Sequence, residues 1–135
     1  MKRTISGYIF ATLIFLAAGV PALAHHSASA EFDMGKTVTV AGTLAKVDWV
    51  NPHTYIYVDV KDSSGNVVDW AFETWPTGIL HRFGIKRDMF VEGQPITIEF
   101  NPTKDAAKNM GFLRHVKFAN GDEINFKNNN VPDDK

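Results

Sequence analysis

The chain contains no cysteine. That absence excludes disulfides, thiolate metal sites, iron–sulfur clusters, a cysteine nucleophile and a lipoprotein anchor. An excess of either charge is also missing: 14 Lys and Arg stand against 15 Asp and Glu, a net charge of -1. Nucleic acid is therefore not an expected partner, because its recognition needs a basic surplus on one face. No glycine-rich segment matches a phosphate loop, and no Gly-x-Ser-x-Gly elbow occurs. Ser27, Ser29, Ser63 and Ser64 fall in loops or in the amino-terminal arm, with no base indicated beside them. No apolar run reaches the roughly 20 residues that a membrane-spanning helix needs. The length, 135 residues, has room for one domain.

What is present begins with an address. Lys2 and Arg3 precede an apolar run from Tyr8 to Val20, Pro21 breaks it, and Ala22-Leu23-Ala24 offers small residues for cleavage. Residues 1–24 are read as a signal peptide, so the expected location is periplasmic or secreted, with no membrane association after cleavage. Removing them leaves 111 residues and takes away two of the 14 basic residues against 15 acidic ones, for a net charge of -3. A mature chain cut after Ala24 starts with His25-His26, a free α-amine beside two imidazoles.

Residues 25–36 are small and polar with little periodicity and are read as an arm. From Thr37 the pattern has period two. Val38, Val40 and Leu44 share one phase, and Val47 and Trp49 take the other, so a bulge or bend is expected near Ala45-Lys46, with Gly42 allowing curvature. Thr54–Lys61 alternates Ile56, Val58 and Val60 against Tyr55, Tyr57 and Asp59. Asp62–Asn66 is a hairpin loop, and Val67–Thr74 alternates again, with Trp70 and Phe72 inward. Trp75–Gly84 suits a short helix with Pro76 in its first turn, Gly84 as C-cap, and Ile79, Leu80 and Phe83 toward the core. Ile96, Ile98 and Phe100 mark a fourth strand and Phe112–Phe118 a fifth. Asn120-Gly121 signals a type I′ hairpin into a short strand carrying Ile124 and Phe126. Residues 127–135 are read as a disordered tail. The expected fold is all-β: a five- to six-stranded OB-fold-like Greek-key barrel over residues 37–126, with one short helix between strands three and four.

Without thiols, candidate chemistry falls to the five histidines. A terminal His25 can chelate through its amine and ring, His26 adds a second imidazole, and neutral imidazole suits copper, zinc and nickel. His53 lies in the loop Trp49-Val50-Asn51-Pro52-His53, stiffened by Pro52, where Asn51 can bond its own backbone. The metal reading therefore takes His25, His26 and His53 as ligands and Asp33 and Asn51 as their supports, with Glu31 a further nearby carboxylate. Copper is preferred over zinc by the Irving–Williams order. His81, near a helix end, and His115, in strand five, are read as structural. A different class of function uses aromatic stacking: Trp49, Tyr55, Tyr57 and Trp75 are the candidate face for a small organic ligand, a glycan or a periplasmic partner protein. No catalytic residues are assigned. The enzyme reading the residues allow is a copper oxidase using an amino-terminal histidine brace, for which the sequence offers no substrate groove.

From His25 to about Glu123 the chain also resembles a family of small exported bacterial proteins of unknown function. The matching residues are His25-His26-Ser27, Phe32-Asp33, Val40-x-Gly42-Thr43-Leu44, Val47-x-Trp49-x-Asn51-Pro52-His53, Trp70 with Glu73, Leu80-x-Arg82-x-Gly84, Gly93-x-Pro95-Ile96 and Asn120-Gly121-Asp122. The resemblance implies no activity. In architecture the chain is similar to small periplasmic OB-fold proteins that bind cationic or stress-related ligands, a likeness of fold alone.

Overall fold

The computed structural model describes residues 27–126. The expected signal peptide, His25, His26 and the polar tail lie outside the described residues. Six strands in two runs of three are preceded and separated by short helical segments: α1 (Ala28–Glu31), β1 (Val38–Asp48), β2 (Thr54–Lys61), β3 (Val67–Thr74), α2 (Thr77–Arg82), a 3₁₀ turn (Arg87–Met89), β4 (Pro95–Pro102), β5 (Met110–Phe118) and β6 (Glu123–Asn125).

β1 is the strand on which the architecture turns. Its first half, Val38–Thr43, pairs antiparallel with β4, and its second half, Thr43–Asp48, pairs antiparallel with β2. A register shift between Leu44 and Lys46 marks the bulge expected from the change of phase. Gly42 sits beside this crossing because a Cβ there would strike the Asp59 carbonyl of β2 and lie 2.7 Å from Val58 Cγ1. β2 and β3 form the hairpin expected around Asp62, whose Oδ1 accepts the Ser64 and Asn66 backbone N–H groups. β5 pairs antiparallel with β4 and, through Met110–Phe112, parallel with Ala71–Glu73 of β3. That parallel pairing closes five strands into a barrel, and β6 adds along the later half of β5. The all-β barrel expectation therefore holds, with the short helix in its expected place.

The interior is filled from alternate positions: Leu44, Ile56, Val58, Phe72, Ile98, Phe100, Leu113 and Val116 are all at most 2% exposed. Trp70 is only half-buried, stacked on Phe72 at 5.9 Å between ring centroids. Burial at this density is the main favourable term in folding.

Two local expectations need correction. Phe83 does not face the core but is 38% exposed. Gly84 adopts φ 76°, its N–H bonds to the His81 carbonyl, and the Ile85 N–H bonds to Leu80. This Schellman closure carries Ile85, 3% exposed, into the place assigned to Phe83. The Asn120-Gly121 turn is not type I′, which needs positive φ at both residues. Only Gly121 has it, at 93°, and the bonds Gly121 N–H to Phe118 O and Phe118 N–H to Asp122 O describe a type I turn with a glycine bulge. The later part of the arm is docked on the barrel. Phe32 is 1% exposed against Phe112 and bridges to Thr103, while Glu31 O accepts the Lys104 N–H and Asp33 N–H bonds to Pro102 O.

Candidate functional site

The end of β3 departs from simple alternation. Phe72, Glu73 and Thr74 are buried in succession, so Glu73, on the polar phase, is nonetheless only 7% exposed. Three features enclose it. On one side β3 pairs with β5, with Phe112 opposite Glu73. On the other, β2 places Tyr55 directly across from Glu73. Above it the β1–β2 loop delivers His53.

That loop is anchored at several points. Val50 N–H bonds to Asp48 O, and Thr54 N–H bonds to Trp75 O. Thr77, at the start of α2, donates its hydroxyl to Val50 O at 3.5 Å and lies 3.3 Å from the Thr54 hydroxyl. His53 is consequently held at the barrel rim with its side chain about one-third exposed.

The geometry is compact. His53 Nδ1 lies 2.6 Å from Glu73 Oε1, and the Tyr55 hydroxyl donates to Glu73 Oε2 at 3.2 Å. Both carboxylate oxygens therefore have a partner, as a buried charged group requires. No partner of His53 Nε2 occurs among the described residues. Burial pushes the Glu73 carboxyl above its usual range, opposed by the facing His53 and the Tyr55 hydroxyl and assisted by Glu31. Burial, with the Glu73 charge beside it, pushes Tyr55 up to about 12, so it stays a hydroxyl donor at ordinary pH. Glu31, at the end of α1, is near enough to act electrostatically on both groups.

The structure thus brings His53 and Tyr55 together through a residue that motif reasoning left without a role. Beyond its place among the residues that carry the family resemblance, Glu73 was legible only as the strand-three partner of Tyr55 once the hairpin register was known. The carboxylate on His53 comes from Glu73, whereas Asp33 accepts the Gly35 N–H within its own turn at 3.2 Å and Asn51 is exposed. Among the described residues no group of three His, Asp or Glu side chains is arranged to hold a metal by itself.

The four aromatics are divided. Tyr55 and Tyr57 lie adjacent on the polar phase of β2, 6.4 Å apart, with the Lys46 ammonium over the Tyr57 ring. Trp49 and Trp75 pack against the core, Trp49 edge-on to Phe90 beneath Arg87 and Trp75 edge-on to Phe112. His81 is exposed at the end of α2, and His115 pairs with Glu123 at 3.3 Å.

Residues 13–112 match the model of a family described as being of unknown function, DUF6152. No curated protein and no solved structure matches the chain.

Proposed function

The chain belongs to this DUF6152 family of unknown function, and from that premise we propose that it is an exported, non-catalytic binding protein of OB type that holds a transition metal, copper before zinc. The ligands are His25 and His26 of the processed amino terminus and Nε2 of His53. The order in which the strands close, β1-β2-β3-β5-β4 and back to β1, supports the OB reading, in which the loop between the first two strands is part of the ligand rim.

The observation that carries the metal reading is the His53–Glu73 pair. A ligating histidine characteristically gives its other ring nitrogen to a carboxylate, which fixes the ring and makes it a better donor. Here a buried glutamate takes Nδ1, and Nε2 is left to coordinate. The docked α1 supplies a second support: Glu31, at its end, acts electrostatically on Glu73, so the segment that follows His25 and His26 in the chain has its described end near the pair.

The test is titration of the processed protein with Cu(II) after its first residue has been read by mass spectrometry. The expected result is a one-to-one site lost in both His25→Ala and His53→Ala. Affinity weaker than about 10 μM, or binding indifferent to either substitution, overturns the reading.

A further inference from the structure

We propose that Glu73 is the positioning residue of this site: its carboxylate selects the Nδ1–H tautomer of His53 and fixes the ring so that Nε2 alone faces an incoming metal ion. The proposal rests on the metal reading above for its ligand, but not for its geometry.

The argument starts from the number of donors and acceptors. A neutral imidazole has one N–H and one bare nitrogen, and the hydrogen bond made by one determines the other. Nδ1 meets Glu73 Oε1 at 2.6 Å. Glu73 Oε2 already accepts the Tyr55 hydroxyl at 3.2 Å. An ionised carboxylate only accepts, so the contact at Oε1 calls for Nδ1–H, and in a neutral ring the lone pair then resides on Nε2.

Fixing the ring also needs a carboxylate that does not move. Glu73 is held on both strand edges, by Tyr55 of β2 and Phe112 of β5, and its side chain is only 9% exposed. His53 is held by the backbone of the loop that ends at Thr54, itself bonded to Trp75. Neither partner needs to reorganise before a ligand arrives, and preorganisation of this kind lowers the cost of binding. Tyr55 has a different place in this scheme from the one expected of a stacking residue. Its hydroxyl is committed to Glu73, so it steadies the carboxylate.

The experiment has a metal-free arm and a metal-loaded arm. In the first, long-range ¹H–¹⁵N correlation on the metal-free processed protein reads which His53 nitrogen is protonated. The wild type is expected to show protonated Nδ1 and bare Nε2. Glu73→Gln, which keeps a carbonyl acceptor, is expected to retain that tautomer, and Glu73→Leu to show a mixture. In the second arm, Zn(II) and Cu(II) affinities are expected to fall about 10–100-fold in Glu73→Leu, the usual effect of removing an outer carboxylate, and to be partly restored in Glu73→Gln. A wild-type His53 protonated at Nε2 overturns the proposal even if neither variant folds. An unchanged tautomer in a folded Glu73→Leu protein also overturns it. If the tautomer follows Glu73 but the wild type binds neither metal, the positioning role stands and the metal reading falls. Tight metal binding with a tautomer indifferent to Glu73 has the opposite meaning.

Discussion

At the level of single residues, the short-range chemistry of side chains accounts for several features without reference to the barrel. Asp62 organises the β2–β3 loop by accepting from the Asn66 side-chain amide and from the Asn66 and Ser64 backbone N–H groups. These bonds, with the Asn66 amide first, hold its carboxyl below the usual range. A lowered carboxyl pKa stabilises the fold above the unfolded value, and that contribution is lost as the pH falls through the folded one. The Tm difference between wild type and Asp62→Ala is therefore expected to be larger at pH 7 than at pH 2, as read by thermal melts at both. Tyr55→Phe leaves Glu73 Oε2 without its donor. An unsatisfied buried acceptor costs about 1–3 kcal/mol, so a loss in the lower half of that range is expected in urea unfolding, given that Tyr55 is only half-buried.

At the level of elements, the bent first strand is the decisive piece. Its change of phase between Leu44 and Val47 could be read directly, and the register shift appears there. The close approach of β2 to Gly42 could not, because it depends on which strand lies across from it. Gly42→Ala is expected to lower stability by about 1–3 kcal/mol in chemical denaturation, since the added Cβ meets the backbone of Asp59, which cannot swing aside. Gly111 has the same character at the closing seam, where a Cβ would strike the Phe100 ring. The turn at Asn120-Gly121 shows the limit of dipeptide rules. Glycine supplied the positive φ, but β5 and β6 meet through a bulged turn, so asparagine keeps negative φ and its side chain bonds Asp122 instead.

At the level of the whole molecule, docking of the segment before β1 changes what that segment is for. Phe32 fills a position against Phe112 at 5.7 Å, and Phe112 in turn touches Trp75 at 5.5 Å, a residue next but one to Glu73 in sequence. Phe32→Ala is expected to cost about 3 kcal/mol in urea unfolding, at the lower end for a buried phenylalanine. Under the metal reading, a ligand that binds only the folded protein raises Tm. Copper at about 100 times Kd is expected to add about 2.7 kcal/mol, reversed by a chelator and absent in His53→Ala.

Periodicity and turn residues were enough to determine the all-β class, the succession of strands along the chain, the bend in β1 and the loop that presents His53. These are properties of near neighbours along the chain, and local sterics and alternation express them directly. Glu73 could not be found in that way. Its burial depends on the parallel pairing of β3 with β5, and its contact with His53 depends on the β2–β3 register, which sets Tyr55 across from Glu73 and His53 two residues before Tyr55. Phe32 likewise became a packing residue only when Thr103 and Phe112, some seventy or more positions away, lay beside it. Contacts between distant residues arise from barrel closure, and a pattern of period two contains no information about which far strand will lie next to which.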